Sequence, residues 1–431
     1  MKSVQKIFFI SLLVMCISGT QNYVFAADDT ETLKVRVESL EKQLSEIKDL
    51  LKQQVQNTAT KAEVNAVKKE VEVAKKEAEA AKKEVAVARS EQSEGKNHDS
   101  TVHLGGYGSV NYTADDHKND RFSRVSYSPI FHYSFKDSIM LQAELEIEVE
   151  EDGDTEIALE YMTIDWFMND YMTLMGGKFL SPVGYFRQNL HPTWINKLPT
   201  APVGFGHDQA APIAEVGLQL RGGVPLGETM FANYSFFVSN GPNEIELNED
   251  GDEIEAVETA GATGNEDDNF LFGGRIALVP MGNVEIGFSG AFGDVGLEDD
   301  DFADRDYNVY GIDGFGRWKG FDLRGEWIRT EVDSLATSVA PDSQEWDAWY
   351  MQGSYKFSKL PNEYLRNFEA VVRYADFDSN HADQRQEQWT LGLNYLIAPQ
   401  AMVKLGYEIN DGLDGEATDD DRLLFQLSYG F

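Results

Sequence analysis

Residues 138–150 read SIMLQAELEIEVE. One face of this stretch is Ile139, Leu141, Ala143, Leu145, Ile147 and Val149, and the other is Met140, Gln142, Glu144, Glu146, Glu148 and Glu150. Strict alternation is the period of a β-strand, whose successive side chains point to opposite faces. A soluble sandwich would bury the aliphatic face and leave the carboxylates in water, whereas a membrane barrel turns the aliphatic face to lipid and the carboxylates to a wet lumen. The same alternation recurs in Val216, Leu218 and Leu220, in Phe368, Ala370, Val372 and Tyr374, and in Trp389, Leu391, Leu393, Tyr395 and Ile397. It returns in 421–431, DRLLFQLSYGF, where Leu423, Phe425, Leu427, Tyr429 and Phe431 form one apolar series.

The links between these segments favour the barrel. Between 102 and 431 the pattern gives about sixteen strands, an even number of the kind single-chain outer-membrane barrels use. Alternate links are tight, as in the KD, ND, KG and APQ turns, and the others are mostly longer and acidic. A sandwich has no reason to alternate in this way, whereas a threaded barrel has short periplasmic turns and longer external loops. Composition agrees: 25 Phe, 18 Tyr and 7 Trp accompany 37 Gly, as expected when only half of each strand meets lipid. Against 37 Lys plus Arg stand 74 Asp plus Glu, a formal charge of −37, which argues against a nucleic-acid partner.

Ahead of the strands lie three segments. Residues 1–26 carry Lys2 and Lys6, the apolar run IFFISLLVMCI, and Val24 and Ala26 before ADDTET, the layout of a signal peptide cleaved after Ala26. Met15 precedes Cys16, the single cysteine, where a lipoprotein signal would need a small residue. Residues 27–92 then place Leu33, Val37, Leu40, Leu44, Ile47 and Leu51 at alternating steps of four and three, followed out of phase by a Val/Ala seam from Val64 to Ala88. A narrow seam of this kind is that of a coiled coil, and with no second helix following in the chain it predicts a homo-oligomer. Residues 93–101 read as a linker and 102–431 as the barrel. An even strand count leaves both barrel ends on the periplasmic side, where such a coiled coil would attach.

One external link stands apart. SPVGYFRQNLHPTWINKLPTAPVGFGHDQAA (181–211) lacks alternation and is rich in Pro, Gly and aromatic residues, so it is expected to fold inward and constrict the pore. Its candidate constriction residues are Tyr185, Phe186, Arg187, His191, Trp194, Lys197, Phe205 and His207. Strand parity predicts lumen-facing charges at Arg124, Glu144, Glu146, Glu148, Lys178, Arg221, Arg275, Arg324, Arg373 and Lys404, with Asp322 and Glu326 also inside. Walls of unlike sign would set up a transverse field on a passing solute; the alternative is that these charges pair with one another.

The expected function is passive transport rather than catalysis. There is no G-x-S-x-G, H-E-x-x-H or cysteine nucleophile, and neither a cofactor nor a metal site is predicted. Glu246, Asn248, Asp250 and Gly251 loosely follow a calcium loop, but Val257 stands where its last carboxylate should be. Acidic external loops are better suited to lipopolysaccharide through bridging divalent cations, or to plain solvation. A plugged energised transporter would need a folded plug and about twenty-two strands, and this N-terminus is helical.

Two resemblances sharpen these expectations. The ending with Phe425, Leu427, Tyr429 and Phe431 resembles the signal by which bacterial outer-membrane barrels reach their assembly machinery, which implies that machinery as a partner. The whole layout, and above all LMGGKFLSPVGYFRQNLHPTWINKLPTAPVGFGHD (174–208), resembles the siderophore porins of the LbtU family and, more distantly, the phosphate-selective porins. The first resemblance implies uptake of an iron-siderophore without an energised plug, and porin analogy implies a trimer. The lumen here mixes Arg and Lys with Glu, a departure from the basic ladders of phosphate-selective porins. General or anion-selective diffusion, and an envelope tether working through the coiled coil, remain the alternatives.

Overall fold

In the computed structural model the described residues are 100–115, 119–150, 152–207, 209–242, 244–248, 250–265, 269–296, 304–362 and 364–431. The segments read as signal peptide (1–26) and coiled coil (27–92), and residues 93–99 of the linker, lie outside them. The strands are β1 (Ser100–Asp115), β2 (Arg121–Phe135), β3 (Ile139–Val149), β4 (Thr155–Asn169), β5 (Met172–Leu180), β6 (Ala214–Leu226) and β7 (Met230–Ser239). A short pair follows, β8 (Ile245–Leu247) and β9 (Ile254–Val257). Then come β10 (Leu271–Met281), β11 (Val284–Val295), β12 (Arg305–Trp318), β13 (Phe321–Val332), β14 (Gln344–Lys356), β15 (Phe368–Ser379), β16 (Gln386–Ala398), β17 (Ala401–Asp411) and β18 (Arg422–Gly430).

All but β8 and β9 join one closed antiparallel barrel of sixteen strands. Closure is made by β1 against β18, from Tyr107 opposite Gly430 to Asp115 opposite Arg422. β1 thus takes up Ser100 and Thr101, which pair with Phe135 and Ser134 instead of serving as linker. Closing the sheet leaves no unpaired edge, a requirement for any sheet in lipid. No helix among the described residues is long and apolar enough to cross a membrane.

The side chains are distributed inside out. Trp389, Leu391, Leu218 and Phe288 are half exposed on the outer surface, while Lys404, Arg373, Glu408 and Asp165 have no exposure at all. An apolar exterior over charged interior residues is the reverse of a water-soluble protein and matches a lipid-facing wall. Aromatic rings cluster towards both rims: Trp349, Tyr374 and Trp389 lie 5.1 Å and 4.9 Å apart in series, and Phe321 and Tyr355 4.4 Å apart near the opposite end. Such belts mark membrane–water interfaces.

One rim carries tight turns. At Lys319 and Gly320, with φ of 50° and 96°, both turn residues are left-handed, the two-residue hairpin whose twist matches its strands. The 357–367 link on this rim is longer than the tight turn expected and holds a single 3-10 turn, Leu365–Asn367. The other rim bears the large loops, 181–213 and 240–270 among them. The second of these contains the β8–β9 hairpin rather than a calcium loop. Asn248 Oδ1 accepts the backbone N–H groups of Asp252 and Glu253 at 3.0 Å and 3.2 Å and so closes a turn.

Candidate functional site

Residues 181–207 and 209–213 lie inside the cylinder, and the anchoring begins where the chain leaves β5. Gly184 has φ of 80° and sits so close to Glu326 that a Cβ would collide with its carboxylate. The chain therefore turns inward against β13, and the single-turn helix α1 (Phe186–Leu190) begins there. Glu326 accepts the N–H groups of Tyr185 and Phe186 at 2.8 Å and 2.9 Å, while Ser289 Oγ accepts that of Gly184 at 3.0 Å. Phe186 and Phe205 pack edge-on against Tyr350, with Phe205 at 5.1 Å. These rings belong to an apolar cluster inside the barrel that also takes in Val309, Ile328, Trp346 and Phe377 of the wall, and Ile254 and Val257 of β9.

Arg187 ties the two limbs of the loop together, donating from Nη2 to the carbonyls of Phe205 and Gly206, both at 3.1 Å. Burial pulls its guanidinium below the ordinary value, with Glu160, Glu146 and Glu326 opposing that shift. Burial likewise pushes the Tyr185 hydroxyl up, aided by Glu285. His191 Nδ1 lies 2.6 Å from the Arg187 carbonyl and its Nε2 3.7 Å from Glu144, which also accepts the Tyr107 hydroxyl at 2.6 Å.

The far limb is held by buried wall charges. Lys197 Nζ reaches Ser354 Oγ at 2.7 Å and Glu369 at 2.6 Å, and Thr200 Oγ1 bonds Glu408. Arg373 donates to the carbonyls of Thr200 at 3.0 Å and Ala201 at 2.9 Å, and Lys404 to those of Thr193 and Leu198. Trp194 lies against Gly430, where an added Cβ would meet the indole at 2.9 Å. Phe205 is buried, and His207, on the same loop, is exposed. Arg373 and Lys404, read from the sequence as lumen charges, are therefore anchors beneath the loop rather than surfaces of the passage. Replacing Glu326 with Ala leaves two backbone donors buried without an acceptor, at a cost of about 2–4 kcal/mol in loop docking. Amide exchange at Tyr185 and Phe186 is expected to accelerate accordingly; unchanged exchange would remove Glu326 as the anchor.

The register pairs the remaining charges locally. Arg124 bridges Glu146 and Glu148 at 2.5 Å and 2.6 Å, Arg275 holds Asp313 and Glu285 at 2.5 Å and 2.8 Å, and Arg324 meets Asp322 at 2.7 Å. The expected walls of opposite sign are therefore replaced by local pairs, because neighbouring strands, and in β13 positions two residues apart, bring unlike charges together. Lys178 is a correction. It pairs with Met162 and Val216, in the outward series of Ile164 and Leu218, while its neighbours Gly177 and Phe179 take the inward parity. The strand parity read from the sequence is off by one residue there.

The accessible pairs on the lumen face share one orientation. Arg221 is 37% exposed and Asp165 0%, Arg317 55% and Asp322 10%, and Arg422 33% and Glu408 0%. Arg124, at 39%, also exceeds its partners Glu146 and Glu148 at 27% and 26%. In each pair the guanidinium fronts the lumen and the carboxylate lies behind it. Cavities of about 340 Å³ beside Arg221, Arg275, Gln188 and Asn189, and about 250 Å³ beside Arg121, Arg124, Arg422 and Thr200, flank the loop. Asp165, Arg317, Glu408 and Arg422 were not singled out in the sequence, although inward parity on their strands was the available signal. Among the described residues no group of three or more His, Cys, Asp or Glu side chains is placed to hold a metal.

A closed sixteen-strand barrel with an apolar exterior and a large loop folded into a charged lumen defines the porin architecture of the bacterial outer membrane. A family model described as phosphate-selective porin O and P matches residues 288–431, the C-terminal third of the chain. Among solved structures, an anion-selective porin from Comamonas acidovorans superposes with a TM-score of 0.51 at 14% identity, covering 77% of this chain and 100% of that one. OmpT of Vibrio cholerae in a trimer form gives 0.48 at 13% identity, covering 77% and 100%. OmpF of Salmonella typhi in complex with daunomycin gives 0.49 at 11%, covering 78% and 99%. No curated protein matches the chain. The matching family model is thus that of the more distant of the two groups the sequence resembles.

Proposed function

We propose that this protein is a passive outer-membrane channel that favours small anionic solutes. The observation carrying this reading is the common orientation of the accessible ion pairs on the lumen face, guanidinium to the lumen and carboxylate behind. A charge nearer the water path acts on a solute more strongly than its screened partner, so pairs that are neutral in sum still present a positive surface. The phosphate-selective family match over 288–431 and the likeness to an anion-selective porin point the same way. The test is the zero-current potential of the full chain in a planar bilayer under a potassium chloride gradient. A sign that reports chloride as the faster ion supports the proposal, and one that reports potassium overturns it.

An iron-siderophore as the transported solute is a finer reading supported by the sequence resemblance alone. It requires that a deletion strain grow poorly only when that siderophore is the sole iron source. We also propose that residues 27–92 form a periplasmic coiled coil joining copies of the chain, a trimer by analogy. The series Phe425, Leu427, Tyr429 and Phe431, whose last three members are exposed outwards, then serves delivery to the assembly machinery. Lipid and lipopolysaccharide surround the wall.

A further inference from the structure

The lipid-facing wall is not uniformly filled. On the outer surface of β12 and β13, Gly314 stands directly opposite Gly325, and their flanking partners on β11 and β14 are Ile286 and Met351. Two facing glycines leave a trough in a surface otherwise covered by side chains. Ile312, Trp327 and Trp349 wall it on the loop side, with Leu323 and Val284 on the other, leaving an open hollow of about 660 Å³. Gly316, opposite Leu323 and Val284, carries the trough towards the tight-turn rim.

Next to the trough this rim carries Lys319, Lys356, Lys359 and Arg366, a local basic stretch in a chain of formal charge −37. Lys319 lies with Nζ 4.5 Å from the ring centroid of Trp318, the next outward residue after Gly316, so its ammonium is held on the membrane side of the turn. The adjoining 357–367 link presents Lys359 and Arg366, both exposed, against a single carboxylate in its sequence, Glu363. An apolar trough in the hydrocarbon band that runs to ammonium and guanidinium groups at an aromatic rim matches a phospholipid in both its parts.

We propose that this trough is a binding site for an anionic phospholipid of the periplasmic leaflet, one acyl chain lying over Gly314, Gly325 and Gly316 and the phosphate beside Lys319 and Lys359. The site is independent of what passes through the lumen. Gly316→Leu is the filling variant, because a Cβ there meets only Val284 Cγ2, at an ordinary 3.9 Å, whereas Gly325 would drive it to 2.9 Å from the Tyr350 carbonyl.

The experiment is native mass spectrometry of the full chain in detergent with phosphatidylglycerol or phosphatidylcholine added, with unchanged single-channel conductance as proof of folding. The wild type is expected to retain one phosphatidylglycerol per chain and to lose phosphatidylcholine. Gly316→Leu is expected to reduce retention to background, and Lys319→Glu with Lys359→Glu to bring phosphatidylglycerol down to the level of phosphatidylcholine. Equal retention of both lipids by the wild type overturns the site, as does full retention by Gly316→Leu. An oligomer that Gly316→Leu dissociates would make a second copy of the chain the occupant and likewise overturn it.

Discussion

Replacing residues 185–206 with a short glycine–serine linker is expected to raise single-channel conductance about threefold, since a barrel of this strand number is an open aqueous channel unless something occupies it. The excised segment is what covers the wall from β14 to β18, where Arg373, Lys404 and Glu408 are now sealed from water. Removal returns those charges to solvent, so they are not stranded unpaired in a dry interior and the barrel need not unfold. Heat-modified gel mobility should therefore report a folded barrel alongside the larger current. A folded variant with wild-type conductance would place the ion path away from the loop.

Substituting Arg124, Arg221 and Arg317 together with Gln is expected to lower the anion-to-cation permeability ratio about tenfold at low salt, because the focused potential loses its positive front. Gln still offers a donor to Asp165 and Asp322, so the effect is one of charge rather than of a broken wall. What remains is the set of carboxylates behind them, and the preference should pass to cations. The difference should largely vanish in molar salt, where screening acts over about 3 Å. A ratio unmoved at low salt would mean that the exposed guanidinium groups do not face the passing ion.

The outcomes at particular residues show how far local pattern reaches. Leu391, Leu218 and Leu427 were readable as outward residues because each lies in an alternating run, and alternation along an extended chain is a property of neighbours in sequence. At Lys178 the same alternation gives the wrong face, because Gly176 and Gly177 carry no side chain to fix the parity of β5 there. The loop 181–213 was readable as anomalous from its composition, but nothing in the sequence joined Glu326 to the amides of Tyr185 and Phe186, or Lys404 to the carbonyls of Thr193 and Leu198.

Strand period, the number of crossings and the polarity of each face were determined by the amino-acid sequence itself, since side-chain direction in an extended chain repeats every two residues whatever the strand pairs with. Which arginine fronts which carboxylate, where the inward loop is pinned, and that Gly314 meets Gly325 were decided only by tertiary structure. Those facts depend on register between strands, and register is settled by the closure of the whole sheet and the packing inside it.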